Sequence, residues 1–313
     1  MANLKNELAW SFSRSECFRE CKRRYWFRYY GSWGGWAPQQ QPEALNAPPE
    51  EAEEIYRLKK LTNRYAWKGN AVHQAIKDHI QEIRFSRELP GSIENACVRM
   101  TARMREQYRT SRDDKGSLGR FREHEYNEHV SSDDWQQISV SARECLKNAL
   151  SNPLVAETIP GVINQPMCEE EFLGVEKLEL LKMPGFASWF VYDVAWMELD
   201  GSVVVVDWKT GKPKNEHKEQ ARYYGWFAQE HFGVEAVQTI IVYLRSQNES
   251  VVRWAGKENE RIKADAMGEL EVMRSMCDED KRELNIATNK TRFPPTENTR
   301  SCRFCEFRRL CER

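Results

Sequence analysis

The sequence predicts an α/β protein in which a helical first half precedes a strand-rich core. Three observations carry this. Apolar residues recur at helical spacing up to about Leu154, and from Cys168 the pattern changes to short apolar runs. The runs Ser202 to Lys209 and Val237 to Leu244 then flank a helical stretch from Glu216 to Phe232, giving strand, helix and strand in succession. No internal repeat is present.

At 313 residues the chain has ample material for a core, and 40% hydrophobic with 30% charged residues is a globular composition. It contains no apolar run of about 18 residues, and its first residues, Met1 to Glu7, are too polar for a secretory signal. A cytoplasmic location is expected, or a nuclear one in a eukaryotic setting. With a net charge of −1, a polyanionic partner has to be met by a local basic surface. Two stretches qualify: Arg19, Lys22, Arg23, Arg24 and Arg28 near the start, and Arg300, Arg303, Arg308, Arg309 and Arg313 at the end.

In chain order, Ser11 caps a helix reaching toward Tyr30, on which Cys17 and Cys21, four apart, are expected to share a face. Tyr25, Trp26, Phe27, Tyr29 and Tyr30 read as core in preference to a base-stacking surface. Trp36 to Glu54, with four prolines and three glutamines in a row, reads as a loop or insertion. Ile55 to Glu88 is helical, with a stripe of Val72, Ile76, Ile80 and Ile83 and with Gly69 leaving room beside His73. Further helices are expected at Ile93 to Arg109 and Asp133 to Ala149, where Cys97 and Cys145 read as buried. Strands follow at Glu170 to Leu173, Trp189 to Leu199 and Ser202 to Lys209. After the helix and strand already named come a strand at Ser250 to Trp254 and a charged helix over Glu258 to Leu284.

The chemistry centres on the hairpin whose turn is Asp200-Gly201, since Asp-Gly between apolar runs favours a tight turn. Side chains two apart on a strand project from one face, so Asp207 and Lys209 point together and Trp208 points away. The turn can bring Asp193 beside Asp207. Two carboxylates and an amine suit divalent-metal hydrolysis: oxygen ligands for Mg2+ or Mn2+, and a cation near the attacking water.

Nine cysteines without a secretory signal suggest metal ligands or buried thiols more than a disulfide framework. Cys302, Cys305 and Cys311 fall within ten residues, too short a segment to need three thiols for packing, and therefore read as metal ligands. Zinc and an iron-sulfur cluster both usually take four ligands. The fourth is Cys17 or Cys21, with Cys168 and Cys277 weaker candidates. Loss of such a centre is expected to loosen both chain ends.

Together these elements resemble the RecB-like branch of the PD-(D/E)XK nuclease superfamily, in particular its iron-sulfur members such as the CRISPR-associated exonucleases and the AddB nuclease domain. Ser13-Arg14 with Cys21 and Tyr25 is similar to the family's N-terminal helix, with Lys22 where a proline is common. Gly69 to His73 resembles its histidine-bearing helix. Asp207-Trp208-Lys209 before Thr210-Gly211 resembles the acid-x-Lys motif, and Gln220 with Tyr224 the Q-x3-Y motif. Asp193 corresponds to the first catalytic aspartate, with Val191-Tyr192 in place of a common glycine-containing lead-in.

The resemblance implies a restriction-endonuclease-like core: a central mixed β-sheet flanked by helices, with an N-terminal helical region and a C-terminal cysteine cluster. It implies one nuclease domain over 1–313, helical over 1–160, catalytic over 161–285 and cluster-binding over 286–313. His73, Asp193, Asp207 and the Trp208 carbonyl would hold the metal, Lys209 would serve catalysis, and Gln220 and Tyr224 would position the strand being cut. Cys21, Cys302, Cys305 and Cys311 would hold a 4Fe-4S cluster, with zinc the alternative. The implied partner is DNA, single-stranded or frayed at an end, together with proteins of a DNA-processing complex serving repair, recombination, phage or CRISPR adaptation. The alternative is a nucleic-acid-binding or assembly subunit that uses this fold as a scaffold.

Overall fold

A computed structural model describes residues 6–36, 46–87, 90–164, 174–254 and 256–311. The expected strand at Glu170 to Leu173, Cys168, Arg313 and the middle of the Trp36 to Glu54 stretch lie outside the described residues.

Helix α1 (Phe12–Glu20) starts where the Ser11 hydroxyl accepts the Arg14 amide at 3.2 Å. It stops at Cys21, whose extended backbone (φ −160°, ψ 110°) breaks the single helix expected from Ser11 to Tyr30. Cys21 also caps the next helix, α2 (Lys22–Trp26), its Sγ accepting the Arg24 amide at 3.4 Å. Cys17 and Cys21 therefore do not share a face. A widened turn over Phe27–Gly31 follows, and Tyr25, Trp26, Phe27 and Tyr30 are buried in the core, as the sequence reading had them.

The expected loop ends earlier than Glu54. Helix α3 (Pro49–Lys59) begins with proline at its first position and Glu50 and Glu51 in its first turn, where missing amide partners and the helix dipole favour them. The expected Ile55 to Glu88 helix is split, and α4 (Arg64–Ser86) is capped by Asn63, whose Oδ1 accepts from Tyr65 and Ala66. Then come α5 (Ile93–Asp113), the short α6 (Arg122–Glu125), α7 (Ser132–Leu150), a widened turn over Leu154–Thr158 and α8 (Ile159–Asn164).

Strands β1 (Gly174–Met183), β2 (Phe186–Met197) and β3 (Val203–Lys209) form an antiparallel meander. The sequence reading had placed no strand at β1. Gly201, at φ 81°, supplies the left-handed residue of the β2–β3 turn, and Asp200 Oδ1 accepts the Ser202 amide at 2.9 Å. Helix α9 (Asn215–Phe232) crosses over to β4 (Val237–Tyr243), which pairs parallel to β3, and β5 (Asn248–Trp254) closes the sheet antiparallel to β4. The charged helix is shorter than expected: α10 spans Asn259–Ser275, and a separate tight turn covers Glu279–Leu284. A last turn, α11 (Thr299–Cys302), leads into the cysteines.

The mixed five-stranded sheet is covered on both faces. Val194, Trp196, Val204, Val206 and Trp208 pack with α4, α5, α7 and α8. Ala195, Val203 and Val205 pack with the N-terminal helices, α9, α10 and the C-terminal tail. The strand period of two thus turns Trp208 into the first layer. Truncating a side chain so buried typically costs about 3–5 kcal/mol, so Trp208 anchors the backbone that carries its neighbours Asp207 and Lys209.

Candidate active site

Four elements meet where the β2–β3 ladder stops. The last β2–β3 ladder pair is Val194 with Val206, and one step further Asp193 reaches across, its Oδ2 accepting the Trp208 amide at 2.6 Å. Its Oδ1 lies 2.9 Å from His73 Nδ1, which α4 supplies from 120 residues away. Lys209 Nζ sits 2.7 Å from Asp207 Oδ2 and donates to Gln220 Oε1 at 2.9 Å. Gln220 Nε2 in turn donates to the Tyr224 hydroxyl at 2.6 Å, both residues lying on one face of α9. The structure thus gathers His73, Asp193, Asp207, Trp208, Lys209, Gln220 and Tyr224 in one place.

Burial, opposed by Lys209 and assisted by Asp193, raises the Asp207 carboxyl from 3.8 to about 6. Burial disfavours the His73 imidazolium, but Asp193 beside it more than offsets this and raises its pKa. Tyr224 is buried close to Asp207 and Asp193 and stays a neutral phenol.

Two neighbours were not singled out from the sequence. Glu176, on β1, presents a ligand atom within 4.8 Å of those of His73 and Asp193. Nothing in its local sequence marks it. His217 lies three residues before Gln220 on α9, 3.3 Å from the Tyr243 hydroxyl, and burial with Lys209 and Lys214 lowers it to about 4. Its helical spacing from Gln220 was the available signal.

One glycine reading changes. A Cβ on Gly69 would meet Thr210 Oγ1 at 3.5 Å, an ordinary contact, so this glycine faces the end of β3 and does not make room for the imidazole. The room that matters is at Gly174, where a Cβ would fall 2.3 Å from the Tyr192 hydroxyl. Glycine on the adjacent strand thus accommodates the bulky Val191-Tyr192 lead-in.

Elsewhere, Cys21, Cys302, Cys305 and Cys311 line one cavity of about 370 Å³, with Arg24, Arg303 and Arg308 around it. Cys17 does not line it. It is buried in the core, and burial pushes its thiol up to about 12. Cys97, Cys145 and Cys277 are buried as well.

Sequence comparison decides the family: the model described as PD-(D/E)XK nuclease superfamily matches residues 9–312, which include every candidate site residue. The chain is a member of that superfamily. No curated protein sequence matches it. Among solved structures, one titled "Crystal structure of SSO0001" aligns over 67% of this chain and 96% of that chain, at 12% identity and a TM-score of 0.28. The mixed sheet flanked by helices is the restriction-endonuclease-like α/β fold expected of the superfamily.

PD-(D/E)XK nucleases use divalent metals, and the residues present fit one. Carboxylate oxygens and one imidazole nitrogen are donors suited to Mg2+ or Mn2+. The three carboxylates of Asp193, Asp207 and Glu176 outnumber the nearby ammonium groups of Lys209 and Lys77, and Asp207 is 6% exposed. The metal-free protein should register this crowding. Because Asp207 is raised above 3.8, ionising it costs stability at every pH above about 6, and nothing below 3.8. With chelator present, Asp207→Asn is expected to gain stability at pH 8 and nothing at pH 3.5, read from urea unfolding at the two pH values.

Four of the basic residues expected to form a nucleic-acid surface meet acids in this superfamily member. Arg24 reaches Glu306 at 3.0 Å and Arg28 pairs with the same carboxylate. Arg309 bridges Glu54 at 2.8 Å and Glu125 at 2.6 Å, and Arg308 meets Glu128 at 2.9 Å. Among the described residues, no helix is long and apolar enough to cross a membrane.

Proposed function

We propose that the chain is a metal-dependent DNA exonuclease that hydrolyses phosphodiester bonds at single-stranded or frayed ends, in DNA processing for repair, recombination, phage or CRISPR adaptation. The observation carrying this is Lys209, fixed between Asp207 and Gln220 beside the His73–Asp193 pair. His73, Asp193 and Asp207, with the Trp208 carbonyl, would hold Mg2+ or Mn2+. When bound, the ion supplies Lewis acidity to the scissile phosphate and lowers the pKa of the attacking water.

The other parts follow from the chain's own side chains. An ammonium has three donors, and two of those on Lys209 go to Asp207 and Gln220, which leaves one to orient the water. Its charge then stabilises the pentavalent phosphate as the water oxygen bonds phosphorus and the bond to the leaving sugar oxygen breaks. The Gln220–Tyr224 pair positions the strand and keeps Lys209 from swinging away.

We further propose that Cys21, Cys302, Cys305 and Cys311 hold a 4Fe-4S cluster, which places the chain in the iron-sulfur branch. Their shared cavity supports a common metal centre, and the choice of a cluster over zinc rests on the family resemblance. The testing experiment is anaerobic purification followed by metal analysis and a cleavage assay on DNA with defined 5′ and 3′ ends. A brown protein that degrades end-labelled single strands with Mg2+ or Mn2+ is expected. Colourless protein with stoichiometric zinc would overturn the cluster, and DNA binding without turnover under either metal would overturn the exonuclease.

A further inference from the structure

We propose that Glu176 is an additional ligand of the divalent cation held at His73 and Asp193, and that Lys77 takes the place of that cation on Glu176 in the metal-free protein. The inference rests on the metal-dependent reading above and deepens it.

The first argument is register. Val175 pairs with Val194 and Lys177 with Tyr192, so Glu176 falls opposite Asp193 on the neighbouring strand. Directly opposed positions of an antiparallel pair lie about 4.5–5.5 Å apart at Cβ, and like charges there destabilise the sheet. Two carboxylates in this arrangement call for a cation between them.

The second is convergence. One Glu176 oxygen, one His73 ring nitrogen and one Asp193 oxygen lie within 4.8 Å of one another. Donors at about 2.1 Å from a common octahedral ion are about 3–4 Å apart, so a small inward adjustment seats an ion among them. Asp193 divides its oxygens accordingly: Oδ2 is taken by the Trp208 amide, and Oδ1 faces His73.

The third is the backbone. Glu176 has φ 45°, a left-handed conformation that non-glycine residues rarely adopt within a strand. Such conformations cost about 1–3 kcal/mol and persist where the surroundings impose them, typically at ligand sites.

Lys77 supplies the stand-in. It lies one helical turn after His73 on α4, and its Nζ is 3.0 Å from Glu176 Oε2. Both side chains are 25% exposed, so the ammonium can leave for solvent when an ion arrives. In this arrangement the cation and Lys77 compete for one carboxylate.

Isothermal titration of Mn2+ into the full chain tests this, with circular dichroism checking each fold. Glu176→Gln is expected to weaken Mn2+ binding about 10-fold or more, in the range that loss of a coordinating or ligand-orienting group produces. Lys77→Met is expected to tighten it, because the competing ammonium is gone. Wild-type affinity in a folded Glu176→Gln protein would overturn the assignment. If that variant does not fold, Lys77→Met decides: tighter binding supports the proposal, and unchanged or weaker binding overturns it, since a purely structural ion pair has no reason to oppose the metal. A wild type that binds no Mn2+ would instead sink the metal-dependent reading itself.

Discussion

Lys209→Ala is expected to lower DNA cleavage by a factor on the order of 10³ while leaving the fold intact. The size follows from electrostatics. A unit charge about 4 Å from a developing charge contributes about 4 kcal/mol at the effective dielectric of a partly buried site, and each 1.36 kcal/mol is tenfold in rate. Lys209 is placed for this by contacts from two elements, Asp207 on its own strand and Gln220 on α9, and its side chain is 19% exposed. It lies at the end of β3, where the adjacent Trp208 carries the packing, so its loss leaves the core untouched. Asp207→Ala should abolish cleavage as well, through loss of a metal ligand. Gln220→Ala should cost less, about tenfold, since Asp207 still holds the ammonium. End-labelled single-stranded DNA with Mg2+ or Mn2+, together with thermal melts of each variant, checks these values. Undiminished cutting by the Lys209 and Asp207 variants would remove the basis for a nuclease reading of the site.

Glu306→Ala should cost about 3 kcal/mol of stability. Glu306 is 6% exposed and lies between Arg24 and Arg28, so its removal leaves two mostly buried guanidinium groups without that partner. For a chain of this size that corresponds to a fall in melting temperature of roughly 5 °C. The effect has a defined pH dependence. Burial tends to raise the Glu306 carboxyl, but Arg24 and Arg28 outweigh it and hold its pKa below 4.5. The stability it contributes is therefore present above pH 4.5 and lost as pH falls through the lowered value, so the gap between wild type and variant should close in acid. Calorimetry at pH 7.5 and pH 3.5 measures both numbers, and an equal gap at the two pH values would refute the ion-pair account. The same contacts bear on the chain ends, which the sequence reading tied together through thiols alone. Arg24, Arg28 and Glu306 give them a second tie that needs no metal.

Much of the site was legible before any fold was known. The period of two in β3 put Asp207 and Lys209 on one side and Trp208 on the other, and the structure has all three so. Asp200-Gly201 signalled the turn, and the four-residue spacing of Gln220 and Tyr224 gave their common helix face. These are local rules, written in residues a few positions apart. The break at Cys21 was not legible, because Ser11 to Tyr30 has good helical composition and the interruption depends on how the C-terminal tail packs against it. The basic stretches read as a surface for a polyanion because sequence shows the arginines and not the acids that meet them, such as Glu306, 282 residues from Arg24.

The sequence by itself determined the strand-rich second half, the acid-x-Lys pair and the family to which its motifs point. Tertiary structure alone decided that Glu176 stands opposite Asp193 and that Glu306 pairs with Arg24 and Arg28. The reason is physical. Backbone period and turn geometry are set by neighbours along the chain, whereas burial, strand register and the pairing of buried charges are set by which surfaces the packed sheet and helices bring together.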